Sequence, residues 1–433
     1  MKSKFFLFSL VIVMCVVFSL SVAIAADKVE LRMLTYFTNT EESAPYYMEA
    51  VEQFEKDYPN VKVYVEGLES SSCREKTAIE MASGSPPDIV QIAPSFAHEY
   101  SKQGLLLNLW PFIEADEEWV NNYTKGVKSF VTNGELYFAP LGINYGGLYY
   151  NKRVFNKVGI KEPPKTWKEL IEQVKKIRTA GIHPFLAGGK EYRYAWFISQ
   201  LMVRTAGMEK MREMAIGSEV TGWTKPENGF IQALSLFKEL VDAGGFPKNV
   251  NGLSREVAYM MFVNDQGAMW YEGSWLIGAF ERLAGKDFVE ENIGWAPFPS
   301  VEGAEGDQEG GVGGPLGLAI SSKLTDQQEK MALELVKRMT SSQTQTKILV
   351  GTSHPTMAKT DREAWNKVSS LLKQEQNYYG SIDIIAFPSD VWFTPSVDSV
   401  IKEIAVPAIV DGTMTVEEAA EAVNKVAEKY FKK

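Results

Sequence analysis

Apolar positions along this chain switch between a period of two and a period of three to four, and the switches mark out its elements. Residues 29–36, VELRMLTY, read as a strand, followed by the polar loop FTNTEES. Tyr47, Val51, Phe54 and Tyr58 then fall at i, i+4, i+7 and i+11, one face of a helix. NVKVYVEG alternates through Val61, Val63 and Val65 as a second strand. CREKTAIEMASG predicts a helix ending at Gly84, and PPDIVQIAP a third, mostly apolar strand. Strand, helix, strand, helix, strand is the rhythm of a parallel sheet covered on both faces, and it places the chain in the α/β class.

The pattern continues through GELYFAPLGINYGGLYYNKRVF, strand-like and rich in Gly and Tyr. Thr166 and Glu169 form a T-x-x-E capping box ahead of a helix whose buried stripe is Trp167, Leu170, Ile171, Val174 and Ile177, closed by Gly181. Further helices are predicted at 193–206 and 228–243. Strands return at AMWYE (268–272) and ENIGWAPFPS (291–300), and GGVGGPLGLAIS predicts a glycine-rich loop running into one more strand. From residue 325 onward the periodicity is mainly helical. There is no internal repeat.

Length and charge narrow the picture. A chain of 433 residues is too long for one ordinary core and suits two lobes. Its net charge of −10 is spread along the sequence, which excludes the clustered basic face that nucleic acid demands. The first 25 residues have Lys2 and Lys4, a long apolar run, then Ala23-Ile24-Ala25, the layout of a cleaved secretory signal. Export to the periplasm follows. An uncleaved segment holding the protein at the cell surface is the alternative. Cys15 lies in that segment, so Cys73 is alone in the mature chain and no internal disulfide is possible. His98, His183 and His354 show no ligand spacing, and each reads as a surface or structural residue. No metal and no cofactor is expected.

Searches for catalytic motifs return little. There is no phosphate loop of the G-x-x-x-x-G-K-[ST] type and no G-x-S-x-G elbow. GGVGG is followed by Pro315 and an apolar run, which suits a hinge or a close backbone approach to a ligand better than a phosphate site. Among the acids, Glu272, Glu41, Glu42 and Glu191 sit among glycines and aromatics near predicted strand ends. In open α/β sheets ligands bind beyond the C-terminal ends of strands. That geometry selects Thr38 and Asn39 after the first strand, Ser95 after the third, and the loop after AMWYE.

At this point several segments carry a resemblance. GGLYYNKRVFNKVGIKEPPKTWKELIEQVKKI, GAMWYEGSW and IVDGTMTVEEAAEAV, with FEKDYPNVKVYVE and GSPPDIVQIAP ahead of them, resemble the family 1 extracellular solute-binding proteins of ABC importers, the maltose- and oligosaccharide-binding type. The resemblance implies a two-lobed type II periplasmic binding fold that closes by hinge motion on a ligand between its lobes. It implies a signal at 1–25, a first lobe of 26–141 and 297–322, and a second lobe of 142–296 and 323–433. The crossings would fall near Pro140–Ile143, near Ala296–Ser300 and after Leu324, with Gly142, Gly146 and Gly147 absorbing the dihedral change. It implies a carbohydrate ligand, a membrane permease as partner, a monomer, and no chemistry. Residue by residue, the family's sugar-stacking tryptophan falls on Trp275, its cleft aromatic at the start of a helix on Trp196, its polar position before the YNK strand on Asn144, with Tyr145 beside it, and a late cleft-closing aromatic on Trp392. Gly313 of the glycine cluster completes the set.

The residue types suit a sugar. A pyranose offers an apolar C–H face to indole or phenol rings, an aromatic contact worth roughly 0.5–1.5 kcal/mol beyond area burial. Its hydroxyls need polar partners, since a buried unpaired one costs about 1–3 kcal/mol. Alternation along AMWYE puts Trp270 and Glu272 on one side and Tyr271 on the other. Trp270 then reads as core, Trp275 as a platform and Glu272 as a hydroxyl acceptor. Trp167 reads as packing, and Trp110, Trp119 and Trp295 as packing or surface. Two other readings stay open: a secreted glycosidase or lyase using Glu272 as acid or base, and a ferric-ion binder using Tyr149 and Tyr150, against which their alternation argues.

Overall fold

The computed structural model of the protein describes residues 28–217 and 222–432, so the signal sequence predicted at 1–25 lies outside the described residues. The described residues form nine strands: β1 Val29–Thr35, β2 Val61–Gly67, β3 Ile89–Ile92, β4 Ala139–Asn151, β5 His183–Phe185, β6 Gly267–Gly273, β7 Ile293–Ala296, β8 Gly311–Ile320 and β9 Ile385–Ala386. They run in the order β2-β1-β3-β8-β4-β6-β5, with β7 beside β4 and β9 beside β8. β1 pairs in parallel with β2 and β3, as the strand–helix rhythm predicts. β8 runs antiparallel to β3 and β4, and β4 antiparallel to β6 and β7.

Two lobes follow from where the apolar side chains go. β1, β2, β3 and the C-terminal half of β8 share a core with Tyr47, Val51 and Phe54 of the helix Ala44–Asp57. The second lobe packs both faces of its sheet. Tyr271 of β6 faces Phe197 and Phe298, while Trp270 faces Tyr259 and Phe280. β6 is buried along its whole length, the signature of a strand covered on both sides. The five-residue stripe of Trp167–Thr179 is buried as the spacing predicts. Its capping box is only half reciprocal. The Thr166 hydroxyl accepts from the Glu169 amide, but the Glu169 carboxylate takes the Lys165 amide rather than that of Thr166.

β4 and β8 are the long strands that pass from one lobe to the other. Three expectations change here. GGVGG is strand from Gly311 onward, not loop. Its glycines admit neighbouring side chains: a Cβ at Gly313 would lie 2.9 Å from Ile385 and Tyr145, and one at Gly314 would lie 2.8 Å from Trp196. The return crossing expected at 296–300 falls later, within β8, because Phe298, Val301 and Val312 still belong to the second core while Leu318 and Ile320 belong to the first. The helix Asp326–Met339, expected in the second lobe, lies in the first, with Met331, Leu335 and Val336 in that core. Gly142, Gly146 and Gly147 have ordinary negative φ, and a Cβ on them would overlap Pro355, Tyr271 and Trp295. Close packing demands these glycines.

Candidate functional site

The lobes enclose a cavity of about 1030 Å³, including its solvent-open mouth. It sits where the strand-end argument points. Tyr36 and Thr38 follow β1, Gln91 and Ala93 close β3, and Trp275 follows β6. The middle of the floor is Gly142 and Asn144 of β4 beside Gly314 and Pro315 of β8.

The second-lobe wall is aromatic. Trp275 opens the helix Trp275–Ala284 and Trp196 lies in the first turn of Ala195–Thr205. Their rings meet edge to face at 4.9 Å and 85°. Trp275 is held from behind. Ser274 donates to Glu375 at 2.6 Å and accepts from the Tyr145 amide at 2.9 Å, and the Tyr149 hydroxyl donates to the other Glu375 oxygen. Burial pushes the Glu375 carboxyl up to about 8. The Arg193 guanidinium lies 5.1 Å from the centre of the Trp275 ring, a cation–π contact, and is itself fixed by Glu272 at 2.9 Å.

The first-lobe wall is polar. Arg74, on the helix Ser70–Ala82, pairs with Asp390 at 2.8 Å. Asp390 belongs to a segment that the Ser389 amide ties to Ser199 of the second lobe, while the next residue, Val391, enters the first core. This ion pair therefore spans the cleft. Burial works against the Asp390 charge, and Arg74 more than offsets it, holding the carboxyl below the usual range. Glu41 is raised to about 7, first by burial and then by neighbouring Glu42, with Arg255 working the other way. Burial holds His354 down at about 4, so it lines the cavity as neutral imidazole.

Three buried polar atoms on the lining residues have no hydrogen-bond partner among the described residues: Asn144 Oδ1, Asp390 Oδ1 and Trp275 Nε1. Two are acceptors and one is a donor. Such atoms also occur elsewhere in the described residues, but buried polar groups are usually paired, and these three stand on the one cavity, within reach of whatever enters it.

Of the residues singled out from sequence, Trp275, Trp196, Asn144, Thr38 and Glu41 line the cavity. Glu272 does not. It is fully buried behind the wall, raised by burial against the pull of Arg193, and touches Trp270 Nε1 at 3.4 Å. Alternation gave its side of the strand correctly but could not distinguish an ion pair from a ligand contact. Glu191 accepts the Arg255 amide and lines a smaller adjoining recess of about 330 Å³ with Tyr192, Lys402 and Asp390. Tyr145 stacks on Tyr379 at 4.2 Å, away from the cavity. Gly313 packs against Tyr145, one residue before the lining Gly314. Trp392 packs on Phe387, and its neighbours Asp390 and Val391 face the cavity instead. Asn39 is exposed outside it, Ser95 is not among the lining residues, and Glu42 pairs with Arg282 across the lobes at 2.9 Å.

Trp270 and Trp167 are buried, as expected of packing residues, and burial decides for packing over surface at Trp110, Trp119 and Trp295. Tyr149 is buried against Glu375 and Tyr150 stacks on Phe155, so the two phenols do not converge. Among the described residues no group of three or more His, Cys, Asp or Glu is arranged to hold a metal ion. Sequence reasoning missed Tyr36, Arg74, Gln91, Arg193, Arg255, His354 and Asp390. Only Arg193 carried a local signal, three residues before Trp196.

The chain is similar to known proteins along most of its length. It is 26% identical to the multiple sugar-binding protein of Streptococcus mutans over 345 residues, which cover 78% of each chain. The solved structure of a chitin oligosaccharide binding protein superimposes with a TM-score of 0.84 at 26% identity, covering 94% of this chain and all of that one. The structure of the solute-binding protein RafE in complex with raffinose has the same fold, with a TM-score of 0.74 at 21% identity over 93% of this chain and all of that one. The sequence profile of the bacterial extracellular solute-binding proteins matches residues 38–346. Two lobes, a cavity between them and this match together show that the chain belongs to the bacterial extracellular solute-binding protein family.

Proposed function

We propose that this protein captures an oligosaccharide in the interlobe cavity, outside the cytoplasmic membrane, and hands it to an ABC-type permease without altering it. The observation that carries the reading is the set of three unpartnered buried atoms, Asn144 Oδ1, Asp390 Oδ1 and Trp275 Nε1, beside two tryptophans in edge-to-face contact. A sugar ring packs its C–H face on the indole of Trp275, and its hydroxyls pair with the orphan atoms, each pairing removing a desolvation cost of about 1–3 kcal/mol. The Trp275 contact, Asn144 and the Arg74–Asp390 pair bring both lobes to one ligand, so ligand binding favours the closed arrangement. The names of the sugar-binding relatives support the same class of ligand.

Glu272 fits this reading as the anchor of Arg193, behind the cavity wall rather than on it. The protein works as a monomer in this account. A thermal-shift screen of oligosaccharides tests it. At about 1,000 times Kd a bound sugar stabilises by ~4 kcal/mol. Stabilisation by an amino acid or a metal ion, with none by any sugar, overturns it.

A further inference from the structure

Three arginines line the cavity, and they are not equivalent. Arg74 has its carboxylate in Asp390 and Arg193 has its own in Glu272. Arg255 has no hydrogen-bond or ion-pair partner for its guanidinium among the described residues. The centre of the Tyr259 ring lies 5.9 Å from its guanidinium carbon. The main chain holds it in place: its amide donates to Glu191 at 2.8 Å, and it opens the helix Arg255–Val263, capped by Ser254. An arginine directed to a cavity in this way offers a fork of N–H donors that no acceptor among the described residues hydrogen-bonds, though Tyr259, Glu41, Glu69 and Glu272 act on it through space.

We propose that the captured carbohydrate is acidic, bearing a uronic-acid carboxylate that the Arg255 guanidinium binds through two parallel hydrogen bonds. This rests on the carbohydrate reading above and narrows it. A planar fork matches a carboxylate in a way that a ring hydroxyl cannot, and charge-assisted pairs are about twice as strong as neutral ones. Glu41 and Glu69 also line the cavity and act on Arg255 through space. Glu41 does not close the site to an anion. Its carboxyl, raised to about 7, takes up a proton at little cost when a second negative charge enters.

Isothermal titration of the purified protein with uronic-acid di- to tetrasaccharides, with their neutral counterparts, and with sulfated oligosaccharides tests the assignment. The acidic sugars are expected to bind about tenfold to a hundredfold more tightly than the neutral ones. Arg255→Gln removes that preference, so that acidic sugars bind no more tightly than their neutral counterparts. Arg255→Lys, which keeps the charge without the fork, retains part of it. If the Gln variant does not fold, the comparison between Lys variant and parent decides the question. Equal or better binding of neutral sugars overturns the assignment and leaves the carbohydrate reading intact. Preference for sulfate esters over carboxylates overturns the carboxylate. Binding of no sugar of any kind brings down the carbohydrate reading, and this assignment with it.

Discussion

The two walls of the cleft are built on different principles. The second-lobe wall is a platform: Trp275 and Trp196 lie at helix starts, backed by a strand buried on both faces and by the Ser274–Glu375–Tyr149 and Arg193–Glu272 contacts. The first-lobe wall is assembled from separate polar side chains, Tyr36, Glu41, Arg74 and Gln91, and from an ion pair to the segment that links the lobes. On the function proposed above, one wall fixes the plane of a sugar ring and the other reads its rim. Rigid aromatic groups and adaptable polar ones divide shape from specificity in the same way at many binding surfaces.

If that division is right, damage behind the platform has the largest effect. Glu272→Ala strands a buried guanidinium, and breaking such a pair costs about 3–5 kcal/mol. A large fall in melting temperature of the ligand-free protein is expected. Unchanged stability with lost ligand binding would instead put Glu272 in contact with ligand. Trp275→Ala removes the platform itself, with an expected loss of about 2–4 kcal/mol in affinity by titration calorimetry. Trp392→Ala, outside the cavity, leaves affinity unchanged, and an equal loss there would erase the distinction between the two tryptophans.

The carboxyl beneath the platform gives a pH signature. Glu375 rises from an ordinary 4.5 to about 8 through burial, so between those values the folded state keeps a proton that the unfolded chain releases. Its contribution makes stability fall as pH climbs through that window, by about 1.4 kcal/mol per pH unit at the steepest, with no slope outside it. Glu375→Gln, which mimics the protonated form against Ser274, flattens that part of the profile in denaturant titrations. The smallest effect belongs to the exposed interlobe contact. Arg282→Gln severs the pair with Glu42 and the one with Glu256 in its own lobe, and the interlobe part is expected to be less than about 1 kcal/mol, read as a few-fold loss of affinity.

The same contrast explains what could be read from sequence. The platform was legible because Trp275 and Trp196 stand out against glycines and strand ends, and because periodicity marks β6 and the helix beside it. The polar wall was not. Arg74, Gln91 and Asp390 come from distant segments, and each looks locally like any polar residue on a helix, strand or loop. Glu272 shows the limit from the other direction: its side of the strand was readable, but its partner Arg193, 79 residues away, was not. The lobe boundaries slipped for a related reason. A helical stripe such as Met331, Leu335 and Met339 states that it is buried without stating against which lobe. Strands as short as β5 and β9, three and two residues, carry no alternation to read.

The most direct test of the central claim is a crystal structure of the protein with the oligosaccharide that stabilises it most. A sugar is expected between the lobes, with one ring against the indole of Trp275 and hydroxyls in hydrogen-bond contact with Asn144 Oδ1 and Asp390 Oδ1. A sugar bound elsewhere, or one that leaves those two oxygens unpaired, would contradict the claim.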